Sequence, residues 1–140
     1  MDYEEKFSGE LIRLLIDVGY VATGIGDKKS ADSIFEGVLA ARPNSELAHV
    51  GYAFSKLSFG EFTAASNLLM SKAYSLNPES KLIRAMYGFL LYTTGRVGEC
   101  GFVMNEVLSS NDADGELDQF SKKLAQVVIE EGKVCQQFKH

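Results

Sequence analysis

The 140-residue chain has few of the residues that break helices, crosslink a fold or bind nucleic acid. It contains only two prolines, so little interrupts long helices. Its two cysteines, Cys100 and Cys135, do not make a disulfide framework. The formal net charge of −5 argues against a nucleic-acid binder, which needs a basic surface. No stretch approaches the roughly 18 apolar residues of a membrane helix, so membrane insertion is not expected.

The overall composition is that of an ordinary soluble protein. Hydrophobic residues make up 46% of the chain and charged residues 24%. The length allows one domain with a core of its own. Residues 1–10 are acidic and lack the apolar segment of a signal peptide. The sequence therefore predicts a single cytoplasmic domain over residues 1–140.

Three glycines divide the chain at nearly constant intervals. Gly26, Gly60 and Gly95 are 34 and 35 residues apart. Each has a small residue seven positions before it, another five positions after it, and a large apolar residue nine positions after it. The small residues before the glycines are Gly19, Ala53 and Gly88, and those after them are Ala31, Ala65 and Cys100. The large apolar residues are Phe35, Leu69 and Met104. A period of about 34 with this pattern is typical of a helix–turn–helix repeat of the tetratricopeptide kind.

The repeats are expected at about residues 12–45, 46–80 and 81–112. Each contains two helices with the glycine in the turn between them, where a positive φ is needed. Pro43 and Pro78 should end the second helices of the first two repeats. An amphipathic helix over about residues 116–138 should cover the last apolar face. The expected fold is all-α, a right-handed array of about three tetratricopeptide-like helix pairs plus a C-terminal capping helix.

The small residues are expected to let the paired helices approach closely, with Gly19 facing Ala31 across the first pair. Large apolar residues should then fill a layer between the helices of each repeat. The expected first layer is Leu15, Val18, Ala22, Phe35, Val38 and Leu39.

No motif for catalysis or metal binding is complete. The segment from Asp112 to Gly115 resembles part of a calcium loop but lacks the Glu that such a loop has at its twelfth position. The glycine-containing segment before Ser30 lacks the Gly-Lys-Ser/Thr ending of a phosphate loop. The only histidines are His49 and His140, and no second histidine or cysteine lies at metal-ligand spacing from His49. A non-enzymatic protein without metal or cofactor is expected.

The repeat register places certain first-helix residues on a concave groove, the surface that repeat proteins use for ligands. Most of them are apolar or aromatic, and such a surface fits a hydrophobic segment held by side-chain anchors. Arg13 is the one basic residue at these positions, so the basic clamp that some tetratricopeptide proteins use for acidic chaperone tails is not expected. The predicted partner-binding residues are Ile16, Tyr20, Leu47, Val50, Phe54, Leu57, Leu82, Phe89 and Tyr92.

Two other interpretations of this surface stay open. The residues could belong to the core, either because the register is off by one or because the C-terminal helix folds back into the groove. Alternatively, a homodimer could fill its own groove.

The chain resembles the small acidic chaperones of bacterial type III secretion, which include needle-subunit and translocator chaperones. The segment Leu14-Leu15-Ile16-Asp17-Val18-Gly19-Tyr20, followed by Gly26-Asp27 and Ala31-x-x-x-Phe35, is similar to the start of related proteins from plant-pathogen secretion clusters. The resemblance covers about residues 11–110. The second repeat departs from the repeat pattern at Lys56, where a Tyr is usual.

The resemblance implies a chaperone in the bacterial cytoplasm. Such a protein would bury a hydrophobic or amphipathic segment of a secreted needle or translocator subunit until export, with a small helical co-chaperone as a possible further partner. The alternative is a scaffold or adaptor protein, without enzymatic activity, that uses the same groove within a permanent complex.

Overall fold

The computed structural model describes residues 8–109 together with Lys122, Ala125, Gln126, Ile129 and Glu130. These residues contain no strand, and residues 8–109 form six helices, so the all-α prediction is confirmed. Helix α4 is continuous but has three parts, the middle one π-helical. The helices are α1 (Gly9–Gly24), α2 (Lys28–Ala41), α3 (Glu46–Ser58), α4 (Phe62–Ser66, Asn67–Ala73 and Tyr74–Leu76), α5 (Lys81–Thr93) and α6 (Val97–Ser109).

The chain divides into two compact units, Met1–Pro78 and Glu79–His140. The first contains α1 to α4, in which α1 packs on both α2 and α3. The second contains α5 and α6, which pack on each other, and the five described residues between 122 and 130, all helical. The rest of the terminal helix predicted over residues 116–138 lies outside the described residues. A single domain over residues 1–140 stays a prediction.

The three turn glycines have the same local geometry. Gly26, Gly60 and Gly95 have φ angles of +81°, +78° and +85°, as the sequence predicts. After α1, the amide of Gly26 donates to the carbonyl of Thr23, and the amide of Asp27 donates to that of Ala22. The other two turns repeat these bonds. This pair of hydrogen bonds is the Schellman motif, which closes a helix on a residue with positive φ.

Polar side chains cap the N-termini of four helices. Ser8, Asp27, Ser45 and Ser80 each accept a hydrogen bond from the backbone amide three residues later. A cap of this kind satisfies an amide that has no partner within the helix. Glu61 occupies the same position before α4 but makes no such bond. Its carboxylate forms ion pairs instead, which are described below.

One large ring fills the core between α1, α2 and α3. Phe35 is fully buried, stacks on Tyr52 with ring centroids 5.6 Å apart, and meets Tyr20 edge-on at 5.9 Å. A Cβ atom placed on Gly19 would lie 2.7 Å from the Cζ atom of Phe35. Gly19 is therefore opposite Phe35 and accommodates its ring, while the expected close approach of Gly19 to Ala31 stays a prediction.

The second unit repeats this arrangement with different side chains. A Cβ atom on Gly88 would lie 2.6 Å from the sulfur of Met104, which is fully buried. The core of this unit also includes Cys100 and Ala125, and Ile129 packs against it. The described part of the predicted terminal helix thus contributes to the core of the second unit.

The predicted first layer is wrong at Val18, which is 42% exposed. The buried face of α1 consists of residues at spacings of four, three and four, and Val18 lies on the opposite side of this helix. The buried residues are Ile12, Ile16, Gly19 and Thr23, together with Ala22.

The π-helical part of α4 coincides with one additional residue in the second repeat. Pro43 follows Gly26 by 17 residues, whereas Pro78 follows Gly60 by 18. A π-turn closes its hydrogen bond one residue later than an α-turn, so it takes up one more residue. The segment Asn67–Ala73 therefore absorbs this residue inside the helix.

Core spacing shows where the additional residue lies. In α2 the buried Phe35 and Val38 are three residues apart, whereas in α4 the fully buried Leu69 and Ala73 are four apart. Both pairs are buried despite this difference. The π-turn therefore keeps α4 in register with its core.

We predict that Gly19→Ala destabilises the protein by about 1–3 kcal/mol, because the new methyl group would overlap the ring of Phe35. The matched control is Gly37→Ala in α2, where an added Cβ has no neighbour within 4 Å. That change should stabilise the protein by up to about 1 kcal/mol, since alanine favours a helix over glycine. Chemical denaturation followed by circular dichroism measures both. Equal effects of the two substitutions would contradict the packing described for Gly19.

Candidate functional site

The predicted groove residues differ in accessibility. Tyr20 is 38% exposed. Four residues are partly buried, namely Leu47, Phe54, Phe89 and Tyr92. Four are buried within the chain itself, namely Ile16, Val50, Leu57 and Leu82. A partner could therefore contact the first five residues, whereas the last four are covered.

Lateral packing between α1 and α3 explains the burial on α1. Ile16 belongs to the core cluster that contains Phe35. Two helical turns further on, the hydroxyl oxygen of Thr23 lies 2.9 Å from that of Ser55 on α3, and both residues are buried. The hydroxyl oxygen of Thr23 is also 2.9 Å from the carbonyl oxygen of Gly19. This side of α1 is therefore occupied by α3.

An aromatic pair forms the accessible part of the predicted groove in the first unit. The rings of Tyr20 on α1 and Phe54 on α3 lie 5.7 Å apart at 58° to each other. Burial, and then the negative charge of Asp17, raise the pKa of Tyr20, so its hydroxyl is neutral at physiological pH. Arg13 is exposed. The aromatic pair offers a partner an apolar surface, whereas the hydroxyl of Tyr20 is directed at Gly51 of α3, where an added Cβ atom would lie 3.2 Å from it.

In the second unit, Phe89 and Tyr92 lie on α5. Both are partly buried against the core cluster that contains Leu91 and Ala125. The open part of this surface is therefore the exposed portion of two aromatic side chains.

A network of four charged residues joins α2, α3 and the start of α4. The ammonium nitrogen of Lys56 lies 3.2 Å from a carboxylate oxygen of Asp32 and 2.9 Å from one of Glu61. The nitrogen of Lys28 lies 2.9 Å and 3.2 Å from oxygens of the same two carboxylates. Lys56 also lies 5.0 Å from the ring centroid of Tyr52, a cation–π contact. Lys56, at the position where the repeat pattern usually has Tyr, is thus held by three partners.

These contacts keep the network ionised. Hydrogen bonds from Lys56, and then from Lys28, lower the pKa of Glu61. Burial is the largest influence on Asp32 and opposes its ionisation, but the two lysines together outweigh it and lower the pKa. Burial likewise opposes the charge on Lys56, yet its hydrogen bonds to the two carboxylates raise the pKa.

The network has a structural role. Its two cations and two carboxylates compensate each other, so no basic charge is left for an acidic partner. Tyr52 beside it donates a hydrogen bond to Glu36 at 2.9 Å, and burial and this bond raise the pKa of Tyr52 to about 12. The charged side chains therefore fix α2, α3 and α4 relative to one another.

A second apolar surface is formed by α1 and by Ile25, the residue that follows this helix, on the side away from the core. The exposed fractions of Leu14, Val18, Val21 and Ile25 are 58%, 42%, 62% and 75%. These four residues are referred to below as the α1 stripe. The α1 stripe is not predicted from the sequence, because the predicted core includes Val18. The spacing of these four residues, four, three and four positions apart, could have indicated a shared face, since residues at such spacing lie on one side of a helix.

Two further polar side chains in the described part of the chain, His49 and Cys100, are buried. His49 is buried, and its Nε2 atom lies 2.8 Å from the carbonyl oxygen of Pro43. Cys100 is a buried free thiol whose pKa is raised by burial. Among the described residues, no three His, Cys, Asp or Glu side chains are grouped as a metal site would require. None of the helices in this part of the chain is long and apolar enough to cross a membrane.

We predict that Lys56→Met destabilises the protein by about 1–2 kcal/mol at neutral pH, because it leaves two neighbouring carboxylates with one cation. The depressed pKa values of Asp32 and Glu61 mean that the network stabilises the fold above their ordinary values, near pH 4. That contribution is lost as the pH falls through the lowered values. The difference between variant and wild type should therefore shrink between about pH 5 and pH 2.

Urea denaturation at several pH values measures this difference. The control is Arg96→Met, which removes an exposed pair with Glu99 at the start of α6 and should have a smaller effect. A cost of Lys56→Met that stays constant down to the lowest pH would contradict the role given to the carboxylates.

Comparisons with known proteins do not identify the chain. No protein-family model matches the sequence, and no curated protein is similar to it. Its function is therefore inferred from the two apolar surfaces and the charge distribution described above.

Proposed function

We propose that this protein is a bacterial cytoplasmic chaperone of type III secretion. It would bind a hydrophobic or amphipathic segment of a secreted needle or translocator subunit until export. The observation that carries the proposal is the accessible aromatic pair, Tyr20 and Phe54. Such a surface favours an apolar ligand over an acidic peptide tail.

The proposed architecture is a right-handed, tetratricopeptide-like array. Three features support it. The glycine turns are repeated, and the helix pairs have similar lengths. Gly19 and Gly88 each leave room for the large residue of their repeat, Phe35 and Met104. Arrays of this kind bind ligands along the surface formed by their first helices. Tyr20 and Phe54 lie on two successive first helices, α1 and α3.

The chemistry of the aromatic pair suggests how a segment would be held. Aromatic rings contribute large contact areas with few rotatable bonds, which makes them effective anchors for a helix or an extended peptide. Phe89 and Tyr92 supply the same chemistry on α5.

A chaperone of this kind acts by mass action. A secreted subunit that assembles through a hydrophobic segment is kept monomeric when that segment is bound, because binding stabilises the free subunit relative to its assembled form. Export then requires only that the complex dissociate. No catalytic group takes part in this cycle, and no nucleic acid or membrane is involved. A small helical co-chaperone is a possible third member of the complex.

A permanent scaffold is the second candidate, and the α1 stripe favours it. The first unit has two accessible apolar surfaces, the aromatic pair and the α1 stripe, on different sides of α1. Two surfaces allow one chain to join two components. Such an adaptor would keep its partners throughout, whereas a chaperone releases its client at export.

The binding prediction is tested by affinity capture from the native bacterium under conditions that induce secretion. Wild type is expected to retain a protein that is also found in the secreted fraction, and Phe54→Ala should retain at least about tenfold less, the loss expected for a hot-spot residue. The matched control is Phe62→Ala, because Phe62 is 41% exposed at the start of α4, outside the predicted groove. This variant should bind as wild type does.

Deletion of the gene separates the two candidates. If the protein is a chaperone, its secreted partner aggregates or is degraded in the deletion strain and returns when the gene is restored. A stable partner that is never secreted would contradict the chaperone and support the scaffold.

A further inference from the structure

An exposed carboxylate lies next to the aromatic pair on α1. Asp17 precedes Tyr20 by three residues, so the two side chains are neighbours on the surface of this helix. Asp17 is exposed, and Tyr20 has an exposed fraction of 38%. After burial, the negative charge of Asp17 is the second cause that raises the pKa of Tyr20, so the electric field of this carboxylate reaches the ring. A partner that covers the aromatic pair therefore also meets Asp17.

Asp17 has no compensating cation in the described part of the chain. No ion pair between residues of this part includes it. Arg13, the one basic residue of α1, lies four residues earlier, further from Tyr20 along the helix. Asp32 and Glu61 differ in this respect, because two lysines compensate their charges. The carboxylate of Asp17 is therefore available to a partner.

Only the first repeat has a carboxylate at this position. Asp17 is the sixth residue of the repeat that begins at residue 12, and the corresponding residues of the second and third repeats are Gly51 and Met86. Met86 is buried. A partner would thus meet apolar and negative surface side by side at the aromatic pair of the first unit.

We infer that the aromatic pair and Asp17 together bind a lysine or arginine side chain within the hydrophobic or amphipathic segment of the partner. The aliphatic stem of that side chain packs on the exposed parts of Tyr20 and Phe54, and its charged group pairs with the carboxylate of Asp17. This inference rests on the proposed function, because it assigns the chemistry of the segment that the same surface would hold.

The dimensions of a basic side chain fit this arrangement. Residues three apart on a helix have Cβ atoms about 5–6 Å apart. The four-carbon stem of a lysine spans a similar distance, so it can lie on the ring of Tyr20 while its ammonium group reaches Asp17. Lysine and arginine commonly cover apolar surface with their stems and keep the charged end at a polar site. The rings also attract a cation that lies over their faces.

Acidic and purely apolar segments fit this surface less well. A carboxylate beside Asp17 would be repelled. A purely apolar segment that covers Asp17 would remove water from an unpaired charge, which is unfavourable. A basic residue avoids both costs. The aromatic pair therefore supplies most of the affinity, whereas Asp17 selects between segments, as charged groups at an interface commonly do.

Three peptides that differ at one position test the inference with the full chain. Each has about 18 residues, enough to form a helix, with leucines along one face and uncharged polar residues elsewhere. One position within the leucine face carries lysine, norleucine or glutamate. Fluorescence anisotropy of the labelled peptides measures their dissociation constants. Wild type should bind the lysine peptide at least about tenfold more tightly than the glutamate peptide, with the norleucine peptide between them.

Asp17→Asn should reduce this preference to about twofold, because the amide neither attracts the lysine nor repels the glutamate. The norleucine peptide should bind the variant at least as well as it binds wild type, since it then covers no charge. That result would also show that the variant is folded. The matched control is Glu10→Gln, which removes another exposed carboxylate of α1, seven residues earlier, and should keep the tenfold preference.

Phe54→Ala separates this inference from the proposed function. It should weaken the binding of all three peptides at least about tenfold. If wild type binds the three peptides equally and Phe54→Ala binds none of them well, the role of Asp17 is overturned while the groove is supported. A lysine preference that persists in Asp17→Asn, or that Glu10→Gln loses equally, would likewise overturn the role of Asp17. If no peptide binds wild type, or if Phe54→Ala binds them all as wild type does, the groove is contradicted and the inference fails with it.

Discussion

The fit of one large side chain over a glycine determines the rest of the first unit. Phe35 can be fully buried only because Gly19 has no Cβ atom at the point where the ring lies. This requirement fixes which face of α1 is turned toward α2. Residues on the opposite face, with Val18 among them, must then point outward. The accessible apolar surface of α1 is therefore a consequence of how the core is filled, and Gly88 with Met104 shows the same solution in the second unit.

Features that depend on the local chain could be predicted from the sequence, whereas those that depend on neighbouring helices could not. The positive φ of Gly26 and the position of Phe35 follow from a repeating pattern of residue types. The burial of Ile16 and Val50 depends on how first helices pack side by side, which the repeat pattern does not encode. Similarly, Lys56 gains its partners from α2 and from the start of α4. Its charge is visible in the sequence, but its burial is not.

Charge and apolar surface are distributed differently in the first unit. The charged residues between α2, α3 and α4 form ion pairs with one another. These pairs hold the three helices together, and their compensated charges leave little electric field for steering a ligand. The accessible recognition chemistry is therefore aromatic and aliphatic. Such a surface selects partners by shape and hydrophobicity, and its binding should depend less on salt concentration than that of a charged clamp.

The π-helical segment of α4 shows how this architecture tolerates a change in length. In a regular helix an added residue would rotate every later side chain by about 100°, turning the following core residues toward solvent. Here the wider turn over Asn67–Ala73 contains the added residue, so Ala73 still reaches the core. The insertion and its repair lie within the same helix, and the neighbouring turns need no compensating change. A helix of this kind can gain a residue during evolution without the surrounding structure having to change with it.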